Sequence, residues 1–260
     1  MTPLQDIQFF LLDMDGTVFL GPHAIPGAPE FIRFLHDTGR RYLFFTNNPS
    51  GNAAQYSAKL QRMGIGAAPE DILTAGEATA RYLAHETPYR RLYVLGTPSF
   101  EGELRRWGLE PVQEDAEAVV LSFDKTLTYA KLEWACLLLD KGLPYIATNP
   151  DRVCPMDYGA IPDCGSMAAL IASATGRTPQ FIGKPDPLMA RMGMEKIGAL
   201  SGKTAMVGDR LYTDIEMAHR AGITGILVLS GETQAADLKH AQHAPDHVFL
   251  SVKELMEAIR

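Results

Sequence analysis

Residues 9–17 read Phe9-Phe10-Leu11-Leu12-Asp13-Met14-Asp15-Gly16-Thr17, and this stretch decides the fold. Four consecutive apolar residues suit a buried strand. The abrupt turn after them carries two carboxylates, Asp13 and Asp15, followed by a glycine. In a doubly wound sheet, ligands bind beyond the carboxyl ends of the strands, so a strand that stops at Asp13 delivers that side chain into the crevice. The competing reading is a plain turn whose aspartates satisfy local amides. The rest of the chain has to choose between them.

Working outward, Gly27 leads into a helix predicted over 28–37, Gly39 closes it, and a second apolar run over 42–45 completes a β-α-β unit. That strand ends at Thr46-Asn47-Asn48-Pro49-Ser50. The next helix carries Ala53, Tyr56, Leu60 and Met63 on one face and stops at Gly64, and a short third strand follows over 72–75. A second alternating set then begins, with strands over 92–95, 119–123 and 145–147 and helices over 99–107, 129–140 and 167–175. No flexible or charged linker separates it from its surroundings, so residues 79–181 read as a smaller α/β domain inserted into a first domain built from 1–78 and 182–260.

The first domain resumes with Phe181-Ile182-Gly183-Lys184-Pro185, a helix over 187–197 and a strand over 204–207. That strand runs into Gly208-Asp209-Arg210-Leu211-Tyr212-Thr213-Asp214, which opens a helix ending at Gly222. Strands over 226–229 and 248–250 flank a short helix near Ala236, and Ser251 with Glu254 fits a capping box for the last helix. The fold class is α/β, a Rossmann-like doubly wound parallel sheet with an inserted domain.

Composition narrows the function. The chain has 260 residues, 46% of them hydrophobic, which is enough for a sizeable core, and its 24 Lys and Arg against 31 Asp and Glu leave a formal charge of -7. No basic stripe tracks a nucleic-acid backbone, so nucleic acid is excluded as a partner. Residues 1–8 have neither the basic segment nor the apolar run of a signal peptide, and no stretch reaches the length of a membrane span. A cytoplasmic protein without membrane contact is expected. Cys136, Cys154 and Cys164 lack metal-ligand spacing and read as reduced thiols, and the seven histidines show no metal spacing either.

Four loops, each directly after an apolar strand, carry the polar residues: Asp13 with Asp15, Thr46 with Asn47, Lys184, and Asp209 with Asp214. In a parallel sheet these loops emerge on one edge. Two carboxylates about 4 Å apart repel by about 4 kcal/mol at an effective dielectric of roughly 20, so such a cluster needs a cation. Oxygen donors without His or Cys favour Mg²⁺. Lys184 supplies a second positive charge, and Thr46 and Asn47 supply donors suited to phosphate oxygens.

This constellation resembles the haloacid dehalogenase superfamily of phosphohydrolases in the order of its four motifs, Asp-Met-Asp-Gly-Thr at 13–17, Thr-Asn-Asn at 46–48, Gly-Lys-Pro at 183–185 and the aspartate-bearing loop at 208–214. The insertion lies between the second and third motifs, where NagD-like members carry an α/β cap. The resemblance implies a Mg²⁺-dependent hydrolase of small phosphate monoesters, such as sugar, polyol, pyridoxal or nucleoside monophosphates. It implies Asp13 as the nucleophile that becomes an aspartyl phosphate and Asp15 as general acid and base. The metal would be held by the Asp13 carboxylate, the Asp15 carbonyl and Asp209, with Asp214 auxiliary, and phosphate by Thr46, Asn47 and Lys184.

Two cap loops, 148–154 and 162–166, are candidates for substrate choice through Asn149, Asp151 and Asp163. The plain alternative is a pair of helix-entry turns with Asp151 and Ser166 as caps. Asp124, in Phe123-Asp124-Lys125-Thr126, is a rival nucleophile because it too follows an apolar strand, but it lacks a partnered second aspartate. Dehalogenation is disfavoured, since that branch does not use the second aspartate. A phosphomutase or other phosphotransferase on the same core, and a non-catalytic phosphate-binding protein, remain as alternatives. Either a monomer or a homodimer fits.

Overall fold

The run Phe9–Asp13 forms a strand and takes a central place in a six-stranded sheet. In a computed structural model that describes residues 2–156 and 159–260, the strand order is His247–Phe249, Thr224–Val228, Thr204–Gly208, Phe9–Asp13, Arg41–Thr46 and Ile72–Thr74. Leu12 lies opposite Val207 on one side and Phe44 on the other, with both neighbours parallel. From this strand the chain builds outward in one direction and later in the other, so the end of Phe9–Asp13 is the topological switch point.

One face of the sheet buries Phe10, Leu12, Phe44 and Val207 together with Phe31 and Leu35 of the helix Ala28–Asp37 and Leu255 of the helix Val252–Ala258. Phe10 meets Phe31 edge to face, with ring centroids 6.0 Å apart. Toward the other face, Gly193 of the helix Pro187–Lys196 packs directly on the ring of Phe45, and a Cβ there would overlap it. A glycine inside a helix costs stability, and here it permits the close approach of helix to sheet.

The chain divides into two compact units: Met1–Thr46 with Ala53–Leu73 and Lys184–Arg260, and Asn47–Asn52 with Thr74–Gly183. The second unit has its own five-stranded sheet, in the order Gln180–Phe181, Tyr145–Ala147, Ala118–Leu121, Arg91–Leu95 and Glu110–Pro111, with every neighbouring pair parallel. The helices Tyr129–Asp140 and Cys164–Thr175 close one face of it over Tyr93, Leu95, Val119 and Leu121.

Several elements differ from the sequence reading. The strand expected over 72–75 stops at Thr74, because the Thr74 hydroxyl accepts the Glu77 amide at 3.0 Å and caps a helix, Ala75–Glu86, that the periodicity did not reveal. The helix expected to begin at 167 begins at Cys164, with Asp163 as its cap. The strand expected over 119–123 ends at Leu121. The helix expected after 208–214 opens with a π-helical turn, Leu211–Ile215. Two hairpins also appear, Phe19–Leu20 with His23–Ala24 and Val153–Met156 with Gly159–Pro162. The three cysteines are free thiols, and burial pushes Cys164 up to about 12. Among the described residues no helix is long and apolar enough to cross a membrane.

Candidate active site

Asp13 is delivered by the apolar strand Phe9–Asp13, and Asp209 by the residue that follows the strand Thr204–Gly208. Asp214 comes from the π-helical turn, and its carboxylate lies against Gly208 at the strand end. Ligand oxygens of Asp13, Asp209 and Asp214 all lie within 4.8 Å of one another, and all three residues are buried. Lys184, also buried, donates from Nζ to Asp13 Oδ1 and to Asp214 Oδ1, the latter at 2.7 Å. The Arg210 amide donates to Asp214 Oδ2 at 3.0 Å, so both oxygens of Asp214 are engaged.

Glycines set how closely the backbone wraps these carboxylates. A Cβ on Gly208 would overlap the Asp214 carboxylate, and one on Gly16 or Gly231 would overlap that of Asp209. Gly16 also needs its left-handed φ of 83° for the turn. The Ser230 hydroxyl donates to the Gly16 carbonyl at 2.7 Å, and the Glu232 amide donates to Asp209 Oδ2 at 2.6 Å.

Three buried carboxylates face one ammonium, and the electrostatics register the imbalance. Burial raises Asp13 well above the ordinary carboxylate range despite the adjacent Lys184 charge, with Asp214 and Asp209 adding to the rise. Burial and then the Asp214 charge push Asp209 up to about 7. Burial alone would lower Lys184, but Asp13 and Asp214 hold it above its ordinary value. Asp209 Oδ1 is buried without a hydrogen-bond partner among the described residues. An orphaned oxygen and a set of hard oxygen donors short of positive charge fit a divalent cation.

Asp15 is half-buried and pairs with Phe19 through a single β-bridge, and the Gly16 amide donates to the Phe19 carbonyl at 2.8 Å. Burial raises its carboxyl above the ordinary value, and the charges of Lys59, Arg210 and Lys184 oppose the rise. Lys59, on the helix Ala53–Arg62, places Nζ 3.6 Å from the centre of the Phe19 ring. Arg210 Nε lies 2.8 Å from Glu232 Oε2. Sequence reasoning assigned nothing to Lys59 or Arg210. Arg210 stood inside a quoted motif, whereas Lys59 offered no sequence signal beyond a basic residue on a helix.

Thr46 is buried at the end of the strand Arg41–Thr46. Within the second unit, Asn47 donates from Nδ2 to Asp151 Oδ1 at 3.1 Å, and Asn149 donates from Nδ2 to the Asn47 carbonyl at 2.9 Å. Asn149 Oδ1 accepts the Asp151 amide at 3.0 Å. Asn47, Asn149 and Asp151 are therefore one buried polar knot. Asp163 accepts the Cys164 amide at 2.5 Å at the head of its helix. Asp124, the rival nucleophile, accepts from Thr126 N at 2.8 Å, Thr126 Oγ1 at 2.6 Å and Lys131 Nζ at 2.7 Å, so it holds its own turn.

Known proteins resemble this chain along nearly its whole length. The family model described as haloacid dehalogenase-like hydrolase matches residues 10–110, and a second, HAD-hydrolase-like model matches residues 181–255. The acid sugar phosphatase of Staphylococcus aureus is 35% identical over 257 residues, 98% of each chain. The crystal structure of a 4-nitrophenylphosphatase from Thermotoga maritima superposes with a TM-score of 0.95 at 44% identity, covering 99% of each chain. NagD from E. coli K-12 superposes with a TM-score of 0.90 at 30% identity, covering 98% of each. With its carboxylate cluster on the switch-point edge and relatives that match end to end, this chain belongs to the haloacid dehalogenase superfamily, as a phosphatase of its NagD-like branch.

Proposed function

We propose that this phosphatase is a Mg²⁺-dependent hydrolase of small phosphate monoesters, sugar and polyol phosphates foremost, and that it works through an aspartyl phosphate on Asp13. The observation that carries the reading is the buried Asp13 carboxylate at the switch point, bonded to Lys184 and grouped with Asp209, one of whose oxygens has no hydrogen-bond partner among the described residues. The similar acid sugar phosphatase supports the substrate class.

The steps follow from the residues. An Asp13 carboxylate oxygen attacks phosphorus in line, and the bond from phosphorus to the leaving oxygen breaks while Asp15 gives that oxygen its proton. Water then attacks the phosphorus of the aspartyl phosphate and yields a proton to Asp15, and the acyl-phosphate bond breaks to release phosphate and restore Asp13. Lys184 offsets charge on Asp13 and the phosphate. Thr46 and Asn47 supply hydroxyl and amide donors to phosphate oxygens. Asp13, Asp209 and the Asp15 carbonyl would hold Mg²⁺, which when bound neutralises phosphate-oxygen charge; Asp214, with both oxygens engaged, fits an auxiliary part. A general acid at Asp15 accounts for about 10²- to 10⁴-fold of the rate. We place the reaction in the cytoplasm, with no nucleic acid or membrane as partner.

The purified protein is expected to release phosphate from an aryl phosphate and from hexose and polyol phosphates with Mg²⁺, and to stop when the metal is chelated. Asp13→Asn should fold normally and lose at least about 10³-fold in kcat. Folded wild-type protein without turnover at saturating Mg²⁺, or a fully active Asp13→Asn, would overturn the reading.

A further inference from the structure

Two residues assigned to phosphate stand side by side in the chain and are held by different parts of it. Thr46 ends the strand Arg41–Thr46 in the first unit, whereas Asn47 opens the stretch Asn47–Asn52 of the second. Within the second unit, the loop after the strand Tyr145–Ala147 grips that stretch. Asn47 donates from Nδ2 to Asp151 Oδ1 at 3.1 Å, the Asp151 amide donates to Asn149 Oδ1 at 3.0 Å, and Asn149 donates from Nδ2 to the Asn47 carbonyl at 2.9 Å. The three bonds close a ring that starts and ends on Asn47.

An asparagine side chain does not choose its own direction, because its terminal torsion is broad and its two ends are nearly alike in shape. Here the partners choose. A carboxylate only accepts, so the end of Asn47 that faces Asp151 is Nδ2. The other end, Oδ1, lies so near Gly183 that a Cβ there would come within 2.7 Å of it. The gripping loop is itself anchored, since the Asp151 carbonyl accepts the Gly165 amide at 2.8 Å, in the first turn of the helix Cys164–Thr175. Asn48 adds a weaker tie, from Nδ2 to Cys154 Sγ at 3.7 Å.

We propose that Asn149 and Asp151 are positioning residues for phosphate binding, fixing Asn47 in the orientation in which it meets a phosphate oxygen. The proposal rests on Asn47 being a phosphate ligand. A side chain that touches the variable part of a substrate changes the ranking of esters, whereas one that acts through Asn47 changes the hold on the phosphate that every ester shares. Burial favours the second role. Asn149 is 0% exposed, and its side chain is engaged at both ends, Nδ2 with the Asn47 carbonyl and Thr148 Oγ1 and Oδ1 with the Asp151 amide.

The test reads KM for p-nitrophenyl phosphate, a hexose phosphate and a polyol phosphate, together with the inhibition constant of inorganic phosphate, all at saturating Mg²⁺. Asp151→Ala should raise all four by a common factor of about 10, the loss of one hydrogen bond to a charged group, and Asp151→Asn, which keeps an acceptor for Asn47, should recover most of it. Asn149→Ala should raise the four constants in the same proportion, so the idea stays testable if one variant folds poorly. Added to Asn47→Ala, Asp151→Ala should cost less than about 2-fold more, because its effect passes through Asn47. A rise confined to one ester would make Asp151 a substrate contact, and unchanged constants, or full additivity in the double variant, would equally overturn the proposal. Asn47→Ala serves as the reference: if it leaves the phosphate inhibition constant unchanged, the reading of Asn47 fails and the role of Asn149 and Asp151 falls with it.

Discussion

At the scale of single residues the site is shaped as much by missing side chains as by the charged ones. Asp209 is enclosed between Gly16 and Gly231, whose α-carbons leave no room for a methyl group beside its carboxylate. Gly231 tests this enclosure best, because a side chain there meets no backbone strain of the kind Gly16 would impose. Gly231→Ala drives a Cβ into Asp209 Oδ2 and to 2.7 Å from the Gly16 α-carbon, so the carboxylate must turn away from its bond to the Glu232 amide. We expect Mg²⁺ affinity to fall by about 10- to 100-fold, the range seen when groups that orient a metal ligand are lost, while the fold survives. Titration calorimetry with Mg²⁺ checks this, and unchanged affinity in folded Gly231→Ala would show that the glycine contact does not govern the proposed ligand. The convergence of Asp13 and Asp209 was legible beforehand, since each ends or follows an apolar strand of one parallel sheet, whereas Lys184 joins them by another route than the one expected, because the strand before it, Gln180–Phe181, belongs to the five-stranded sheet. Lys59, Arg210 and Gly231 were not legible, because their places depend on close approaches between segments that are distant in sequence.

At the scale of elements, the strands and most helices followed from hydrophobic period and glycine stops, and the failures share a physical cause. Thr74 and Asp163 each end one element and begin the next, and a cap is a side-chain hydrogen bond that periodicity does not register. The missed helix Ala75–Glu86 is rich in alanine and weakly amphipathic, so propensity rather than pattern would have found it. The short hairpins have too few residues for any period. Asp163 raises a functional question as well, since it was a candidate for substrate contact and here heads the helix Cys164–Thr175. If capping is its whole role, Asp163→Ala costs about 1 kcal/mol and lowers Tm by about 2–4 °C. KM for each accepted phosphate ester would then change by less than a factor of about 2, because the side chain contributes to stability and not to binding. A large rise in KM at unchanged Tm would instead return Asp163 to the substrate.

At the scale of the whole molecule, the carboxylate cluster links folding, pH and metal. Asp209 is held up to about 7 against an ordinary value of 3.8, and Asp13 is raised in the same direction, by burial first. Without metal, the folded chain therefore binds protons at these sites that the unfolded chain has already released. A carboxyl raised on folding contributes stability that is fully present below its unfolded value and is lost as pH climbs through its folded value. Asp209 therefore weakens the metal-free protein progressively between about pH 4 and about pH 7, and Asp13 acts in the same direction. A divalent cation binds the deprotonated cluster and relieves the repulsion, but below about pH 6 it must first displace those protons. The stabilisation by Mg²⁺, which grows with ligand concentration over Kd, should accordingly be small near pH 5 and rise steeply toward pH 8. Thermal melts with saturating Mg²⁺ and with chelator, taken across that range, measure it directly. We expect the Mg²⁺-induced gain in Tm to increase with pH for the wild type. In Asp209→Asn, which cannot release the proton, the gain should become small and nearly flat. A gain in the wild type that stays constant from about pH 5 to 8 would mean that metal binding does not compete with protons at Asp13 and Asp209, and the cation would then have to be sought on other ligands.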